Sequence, residues 1–309
     1  MYIPEHEVSK ALDYDVLIPA IRQALIDYSA GNVVQPARTV VRAGNAEGHR
    51  NGWFAVMPVI AGDVMAVKTV TFYPGNAELG LPTHMAVIEL LSRATGQPLA
   101  IMDGRMITEM RTAAVSAVAL DALAPATVGS LGILGSGIQA RSHFTALRVV
   151  RPSLKDVRIW SRTQANAEAL AAETGASAVA IEKAAAADVV LVATSSPTPI
   201  LEGRWLKRGA LVIAVGAIGP QLRELDDETM LSSCVIAEAR GPVESESGDV
   251  RLSGARVCAE IGQVLSGAAQ APVGERIVFQ SVGMAIEDLT AARIVWQARS
   301  AAPNQGRSF

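Results

Sequence analysis

The period of the apolar positions changes along the chain, and those changes divide it. Over the first 30 residues Val16, Leu17, Ala20, Ile21, Ala24, Leu25 and Tyr28 recur at helical spacing, and Gly31 is a stop. From Thr39 to Thr71 the texture turns to strand. Thr39-Val40-Val41 comes first, then Trp53 to Ile60 and Val64 to Val70, the last two forming a hairpin about Ala61-Gly62-Asp63. Residues 84–92 read as a short helix, Pro98 to Met102 as a strand and Asp103-Gly104 as a turn. Met106 to Leu123 is a long Ala-rich helix that ends near Pro125.

Beyond it, strand and helix alternate. Val128 to Leu134, Val157 to Trp160, Asp188 to Ala193, Leu211 to Val215, Cys234 to Ala237 and Ile277 to Gln280 are apolar, β-prone runs. Helices fall around Ala165 to Glu173 and, briefly, at Ala184 to Ala187; Ser281 is placed to cap a last helix through about Ala298. Strands that are apolar on both faces suit a parallel sheet covered by helices on each side. The order of elements predicts an α/β protein: an α+β domain over 1–122, then a Rossmann-type doubly wound parallel sheet over 123–282, with 283–309 returning to complete the first domain. The helix from Met106 should run from the first domain into the second. There is no internal repeat.

The first candidate chemistry lies where the Val128–Leu134 strand meets the next helix, at Gly135-Ser136-Gly137-Ile138-Gln139-Ala140. In a dinucleotide-binding turn Gly135 permits the sharp bend, Gly137 lets the backbone approach a pyrophosphate, and small Ala140 lets helix and strand pack closely. The phosphates would sit at the helix N-terminus. About 20 residues further on, an NAD site carries an acid for the ribose hydroxyls. Here stand Ser161-Arg162-Thr163, with no acid before Glu168. Arginine pairs with a 2′-phosphate and stacks on adenine, so NADP(H) is expected over NAD(H).

Composition changes this picture little. Half the residues are hydrophobic and 18% are charged, as in a packed globular enzyme. A net charge of −3 supplies no general attraction for nucleic acid or an anionic membrane, and neither partner is expected. Any anionic substrate must therefore be held by a few local cations. Cys234 and Cys258 stand in apolar contexts without metal-ligand spacing and read as buried thiols, so no metal is expected. Glu5-His6-Glu7 differs from a secretory leader and no 18-residue apolar run occurs, so a cytoplasmic protein is expected.

Further stretches carry a resemblance across nearly the whole chain. They are Pro36-Ala37-Arg38-Thr39, Ala66-Val67-Lys68, Leu81-Pro82-Thr83-His84, Met102-Asp103-Gly104 and Thr108-Glu109-Met110-Arg111-Thr112-Ala113-Ala114. After the glycine turn come Trp160-Ser161-Arg162-Thr163, Ser247-Gly248-Asp249-Val250 and Ser281-Val282-Gly283-Met284-Ala285-Ile286-Glu287-Asp288. With these pieces the chain resembles the ornithine cyclodeaminase/mu-crystallin family. That family contains cyclodeaminases, alanine dehydrogenases and ketimine reductases.

The resemblance implies a substrate-binding and dimerising first domain, and a homodimer. It implies that Arg38, Lys68 and Arg111 surround the substrate carboxylate in a cleft between the domains, with Thr83 beside them. Lys68 also stands out unaided, because an unpaired charge in an apolar strand is costly. Lys68, His84 and Arg111 are the catalytic candidates, with His84 as proton source or hydrogen-bond partner. Its competing reading is a structural histidine at a helix N-terminus; His6, His49 and His143 read as ordinary histidines. Cofactor contacts are expected from Gly135, Ser136, Gly137, Ile138, Gln139, Ala140, Ser161, Arg162, Thr163, Asn166, Thr194, Ser195, Val215, Gly216 and Ser281.

One departure separates the branches. Related cyclodeaminases carry an Asp two residues after the glycine of the segment that here reads Val215-Gly216-Ala217-Ile218-Gly219-Pro220. Ile218 neither accepts a proton nor holds an ammonium. The resemblance then points to the ketimine-reductase branch, reducing Δ1-pyrroline-2-carboxylate to L-proline or Δ1-piperideine-2-carboxylate to L-pipecolate with NADPH. The alternatives are a cyclodeaminase or amino-acid dehydrogenase of the same family, or a non-catalytic small-molecule binder.

Overall fold

A computed structural model describes residues 2–44 and 51–301; His49 lies outside them. The chain separates into two compact units, one of Met1–Ala24, Gly31–Arg111 and the segment from Met284 onward, the other of Leu25–Ala30 and Thr112–Gly283. The division falls at Arg111–Thr112, inside a continuous helix, where the sequence reading places it after residue 122.

The first unit begins with β1 (Tyr2–Ile3), α1 (Glu5–Ala11) and α2 (Tyr14–Ser29). Then come β2 (Val33–Val34), β3 (Thr39–Ala43), β4 (Gly52–Ala61), β5 (Val64–Phe72), β6 (His84–Ser92) and β7 (Pro98–Asp103), followed by α3 (Arg105–Leu123). The strands form one sheet in the order β1-β7-β6-β5-β4-β2, with β3 also paired to β4. Only β1 is parallel to its neighbour. The hairpin expected about Gly62 is present, with Ala61 opposite Val64.

Segment 84–92, expected to be helical, is strand β6. The tertiary setting overrides its weak helical texture: Ala86, Ile88 and Leu90 alternate inward, and β5 and β7 hydrogen-bond to either side. On the same inner face lie Ala55, Met57 and Val59 of β4 and Val64, Ala66 and Val70 of β5, all buried. The opposite face leaves Phe54, Met85, Val87 and Ile101 exposed.

In the second unit the strands are β8 (Ser130–Leu134), β9 (Asp156–Trp160), β10 (Ser177–Ala178), β11 (Val189–Val192), β12 (Leu211–Ala214), β13 (Cys234–Ala237), β14 (Val257–Glu260) and β15 (Ile277–Gln280). The helices are α4 (Ile138–Val150), α5 (Gln164–Thr174), α6 (Ile181–Ala185), α7 (Asp227–Leu231), α8 (Arg240–Glu246), α9 (Gly248–Ser253) and α10 (Ile261–Leu265). The strand order is β10-β9-β8-β11-β12-β15-β13-β14, and every pairing is parallel. Strands β8, β11, β12 and β15 are wholly buried, which accounts for the unbroken apolar sequences of β11 and β12 and the largely apolar ones of β8 and β15. This is the α/β, Rossmann-like sheet that the alternation predicts. The chain steps from β8 outward to β9 and then returns to β11 on the other side, so β8 and β11 flank the switch point where such sheets bind ligands.

The cysteines do not conform to the buried reading. Cys258 is exposed on the edge strand β14 and Cys234 is half-buried. Helices α8, α9 and α10 and strand β14, each seven residues or fewer, are too short to show a hydrophobic period.

The last helix, α11 (Ala285–Ala301), belongs to the first unit and packs on β4, β5 and β6. Ser281 does not cap it. Gly283, at φ 80°, breaks the backbone between them, and the Ser281 hydroxyl donates to Glu238 Oε1 at 2.7 Å. Among the described residues no helix is long and apolar enough to cross a membrane.

Candidate active site

Period-two alternation turns Lys68 inward with Val64, Ala66 and Val70, so a lysine enters an apolar interface at 2% exposure. Such burial requires a counter-charge, and α11 supplies it: Lys68 Nζ lies 2.5 Å from Asp288 Oδ2. Arg111, near the start of α3 and 5% exposed, donates from Nε to Asp288 Oδ1 at 3.1 Å and from Nη1 to Glu287 Oε2 at 2.6 Å. Glu287 Oε2 also accepts the Met284 N–H at 3.2 Å, and Gln35 Oε1 accepts the Ile286 N–H at 2.8 Å. The acids therefore occupy the first turn of α11, where the positive end of the helix dipole favours them.

The electrostatics follow from this packing. Burial pulls the Lys68 ammonium down to about 8; Asp288 opposes that shift, while Arg111 and Arg38 add to it. For Asp288 burial pushes upward, but Arg111 and Lys68 outweigh it and hold the carboxyl below its ordinary value. Lys68 and Arg111 face the two carboxylates Glu287 and Asp288, and the Arg38 charge also acts on Lys68, so three cations lie near one another where an anionic substrate can be held.

His84 opens β6 instead of a helix. Burial, then Lys68 and Arg111, lower its imidazole to about 4, so at neutral pH the ring is uncharged. Thr83, the residue before it, accepts the Tyr73 N–H on its carbonyl at 2.8 Å, while Asn76 Nδ2 donates to Pro82 O at 2.9 Å. The first unit thus brings Arg111, His84 and Arg38 each within electrostatic reach of Lys68. Glu287 and Asp288 were given no site role by the sequence reading. Their signal was two adjacent acids in the first turn of the last helix.

The glycine turn lies in the second unit. Gly135 follows β8 with φ 125°, a conformation that excludes other residues, and a Cβ there would collide with Ala193 O. Gly137 is the N-cap of α4 and has ordinary φ; a Cβ on it would meet nothing within 4 Å. No side chain caps α4, so its first N–H groups have no side-chain acceptor at the N-cap. Ala140 is fully buried behind them, while Ile138 is exposed. An open, uncapped helix N-terminus at the switch point fits a dinucleotide pyrophosphate.

Ser136 Oγ and Ser161 Oγ are 2.8 Å apart, joining the turn to the end of β9. Arg141 Nη1 donates to Ser136 O at 2.7 Å and its Nε to Glu173 at 2.9 Å. Arg162 is exposed and makes no hydrogen bond or ion pair with the described residues. Thr163 is the N-cap of α5, where its carbonyl accepts the N–H of exposed Asn166. Thr194 and exposed Ser195 follow β11, and buried Val215 and half-buried Gly216 follow β12. Gln139 accepts from His143 Nδ1 at 2.7 Å, and His143 Nε2 lies 2.9 Å from Ser116 Oγ. Burial lowers this imidazole to about 4, and fully buried His143 is structural. Ile218 is 38% exposed beyond β12, its N–H on Gly216 O at 2.9 Å.

Comparison with known proteins agrees with this geometry. The sequence profile of the ornithine cyclodeaminase/mu-crystallin family matches residues 1–302. Ketimine reductase mu-crystallin from Mus musculus is 43% identical over 294 residues, covering 92% of each chain. The structure of Thermococcus litoralis Δ1-pyrroline-2-carboxylate reductase in complex with NADH and L-proline superposes with a TM-score of 0.90 at 30% identity, covering 97% of each chain. An archaeal alanine dehydrogenase dimer with bound NAD gives 0.91 at 28% identity, covering 97% of this chain and 96% of that one. The chain belongs to the ornithine cyclodeaminase/mu-crystallin family.

Proposed function

We propose that the chain is an NAD(P)H-dependent ketimine reductase acting on a cyclic imino acid, Δ1-pyrroline-2-carboxylate or Δ1-piperideine-2-carboxylate. The observation that carries this reading is the buried Lys68–Asp288–Arg111–Glu287 cluster, with the Arg38 charge acting on Lys68 beside it. Arg111 and Arg38 hold the substrate carboxylate, and Thr83 borders it. Nε and Nη1 of Arg111 are committed to Asp288 and Glu287, so those acids orient the guanidinium. Lys68 carries a proton at neutral pH but holds it more loosely than an ordinary lysine, because its ammonium falls to about 8. It is therefore the group that keeps the imine nitrogen protonated, and Asp288 fixes Nζ in place. Neutral His84 serves as a hydrogen-bond partner and not as the acid.

Gly135, Ser136, Gly137, Ile138, Gln139 and Ala140 hold the cofactor pyrophosphate, with Thr194, Ser195, Val215 and Gly216 at the neighbouring strand ends. Ser281 borders the same edge. Bound NAD(P)H supplies the hydride that reduces the imine carbon. Arg162, with Ser161, Thr163 and Asn166 near it, favours the 2′-phosphate, so NADPH is the preferred form. The apolar face of Phe54, Met85, Val87 and Ile101 supports a homodimer, and sedimentation should give twice the chain mass.

Two assays test the function. Purified protein should oxidise NADPH with either cyclic ketimine and release no ammonia from ornithine. Ammonia release would favour a cyclodeaminase, against which Ile218 stands. Binding of a ketimine without turnover would favour a non-catalytic binder.

A further inference from the structure

The second unit holds a fully buried glutamate outside the glycine turn. Glu224 has no exposed surface. Its Oε1 accepts the Thr194 N–H and the Thr194 hydroxyl, both at 2.6 Å, and its Oε2 accepts the Gly216 N–H at 2.8 Å. Thr194 follows β11 and Gly216 follows β12, so one carboxylate bridges the carboxyl ends of two adjacent strands. A Cβ on Gly216 would collide with Thr194 O and with the carboxylate itself, which leaves no room for another residue there.

Glu224 is anchored in turn. Its N–H donates to Asp249 Oδ1 at 2.9 Å, as does the N–H of Leu225, and its carbonyl accepts from Ile200 at 2.9 Å and Leu201 at 3.0 Å. Asp249 is also fully buried, in α9. Burial raises the Glu224 carboxyl to about 8, against the Thr194 and Gly216 donors. A buried carboxyl group is a costly way to fill space, since an apolar side chain of equal size would be cheaper. Its three donors lie on the strand ends of the sheet's ligand-binding edge.

We propose that Glu224 is a positioning residue for the dinucleotide, cross-linking the ends of β11 and β12 so that the Thr194 and Gly216 peptides form a fixed wall of the cofactor site. This rests on the reading above that those two residues border NAD(P)H. An amide at this position keeps an acceptor for Thr194 but turns a donor toward the Gly216 N–H, and the cross-link opens on one side.

The test is NADPH binding by fluorescence titration on wild type and Glu224→Gln, with kcat, both KM values and thermal unfolding beside it. Glu224→Gln should weaken the Kd and KM for NADPH by about tenfold or more, as expected when a hydrogen bond is lost and the buried Gly216 N–H is left facing another donor. Its kcat at saturating cofactor and its KM for the imine should stay within about twofold, because only the cofactor wall is disturbed. If the folded variant binds NADPH as wild type does, while Tm alone falls, the residue is merely structural and the proposal is overturned. If Glu224→Gln does not fold, Thr194→Val, which removes only the hydroxyl donor, decides in the same way: a severalfold weaker Kd supports the cross-link and an unchanged Kd overturns it. A wild-type protein that binds neither NADPH nor NADH would instead overturn the functional reading itself.

Discussion

Each unit buries neighbouring acids, Glu287 with Asp288 in the first and Glu224 with Asp249 in the second, and the two pairs are compensated differently. In the first unit Asp288 and Glu287 face the cations Lys68 and Arg111. In the second, Glu224 and Asp249 face mainly backbone N–H groups and a hydroxyl. The consequence appears in the ionisation. Two full charges overcome the desolvation of Asp288 and lower its pKa, whereas amide dipoles leave Glu224 pushed up to about 8 and Asp249 up to about 6. An ion cluster can exchange protons and take in a further charge. An amide-bound carboxylate mostly holds backbone in place. The first arrangement suits the reacting end of a substrate, the second the wall of a cofactor site.

The largest effect should come from stripping the ion cluster of one anion. Asp288→Asn leaves Lys68 and Arg111 buried without it, and urea unfolding should register a loss of about 3–5 kcal/mol. The same variant has a kinetic signature. In the native protein, protonated Lys68 is needed below about 8, so kcat/KM should fall as pH rises through that value. Without the Asp288 charge the ammonium is less favoured, so this basic limb should move to lower pH. A limb that stays in place, with the variant folded, would show that Lys68 is not the titrating group.

Removing a cation tests the same cluster from the other side. Arg111→Ala should lower kcat/KM for the imine by about 2–5 kcal/mol, the cost of taking one partner from a desolvated charge pair. NADPH binding should remain within about twofold of wild type, since Arg111 lies in the first unit. Arg111→Lys should recover only part of the loss, because a point charge cannot contact Glu287 and Asp288 in fork geometry. An unimpaired Arg111→Ala enzyme would remove the clamp from the mechanism.

The smallest effect belongs to an exposed charge that is unpaired among the described residues. Arg162→Ala should weaken NADPH by about tenfold and leave NADH nearly unchanged, with no effect on stability. Equal affinity of the native protein for the two nucleotides would refute the preference.

Much of this was legible in the chain. Gly135-Ser136-Gly137 announced its turn because the backbone at Gly135 demands glycine, and the wholly apolar strands β11 and β12 announced a covered parallel sheet. Lys68 stood out as a charge with no local reason to be in an apolar strand. The misreadings share one cause. Segment 84–92 and Ser281 were judged by local texture, while sheet pairing on both sides decided the first and Gly283 with Glu238 the second.

By itself, then, the sequence determined what is periodic or stereochemically obligatory: the alternation of strand and helix, the glycine turn, and the inward face of β5 that carries Lys68 into the interior. Tertiary structure alone decided the partners. Lys68 and Asp288 are 220 positions apart yet 2.5 Å in space, and Glu224 lies 30 positions from the Thr194 it bridges to Gly216. Burial makes a partner necessary, but no local pattern specifies which distant residue supplies it. That choice follows only when the packed sheet and helix bring the charges together.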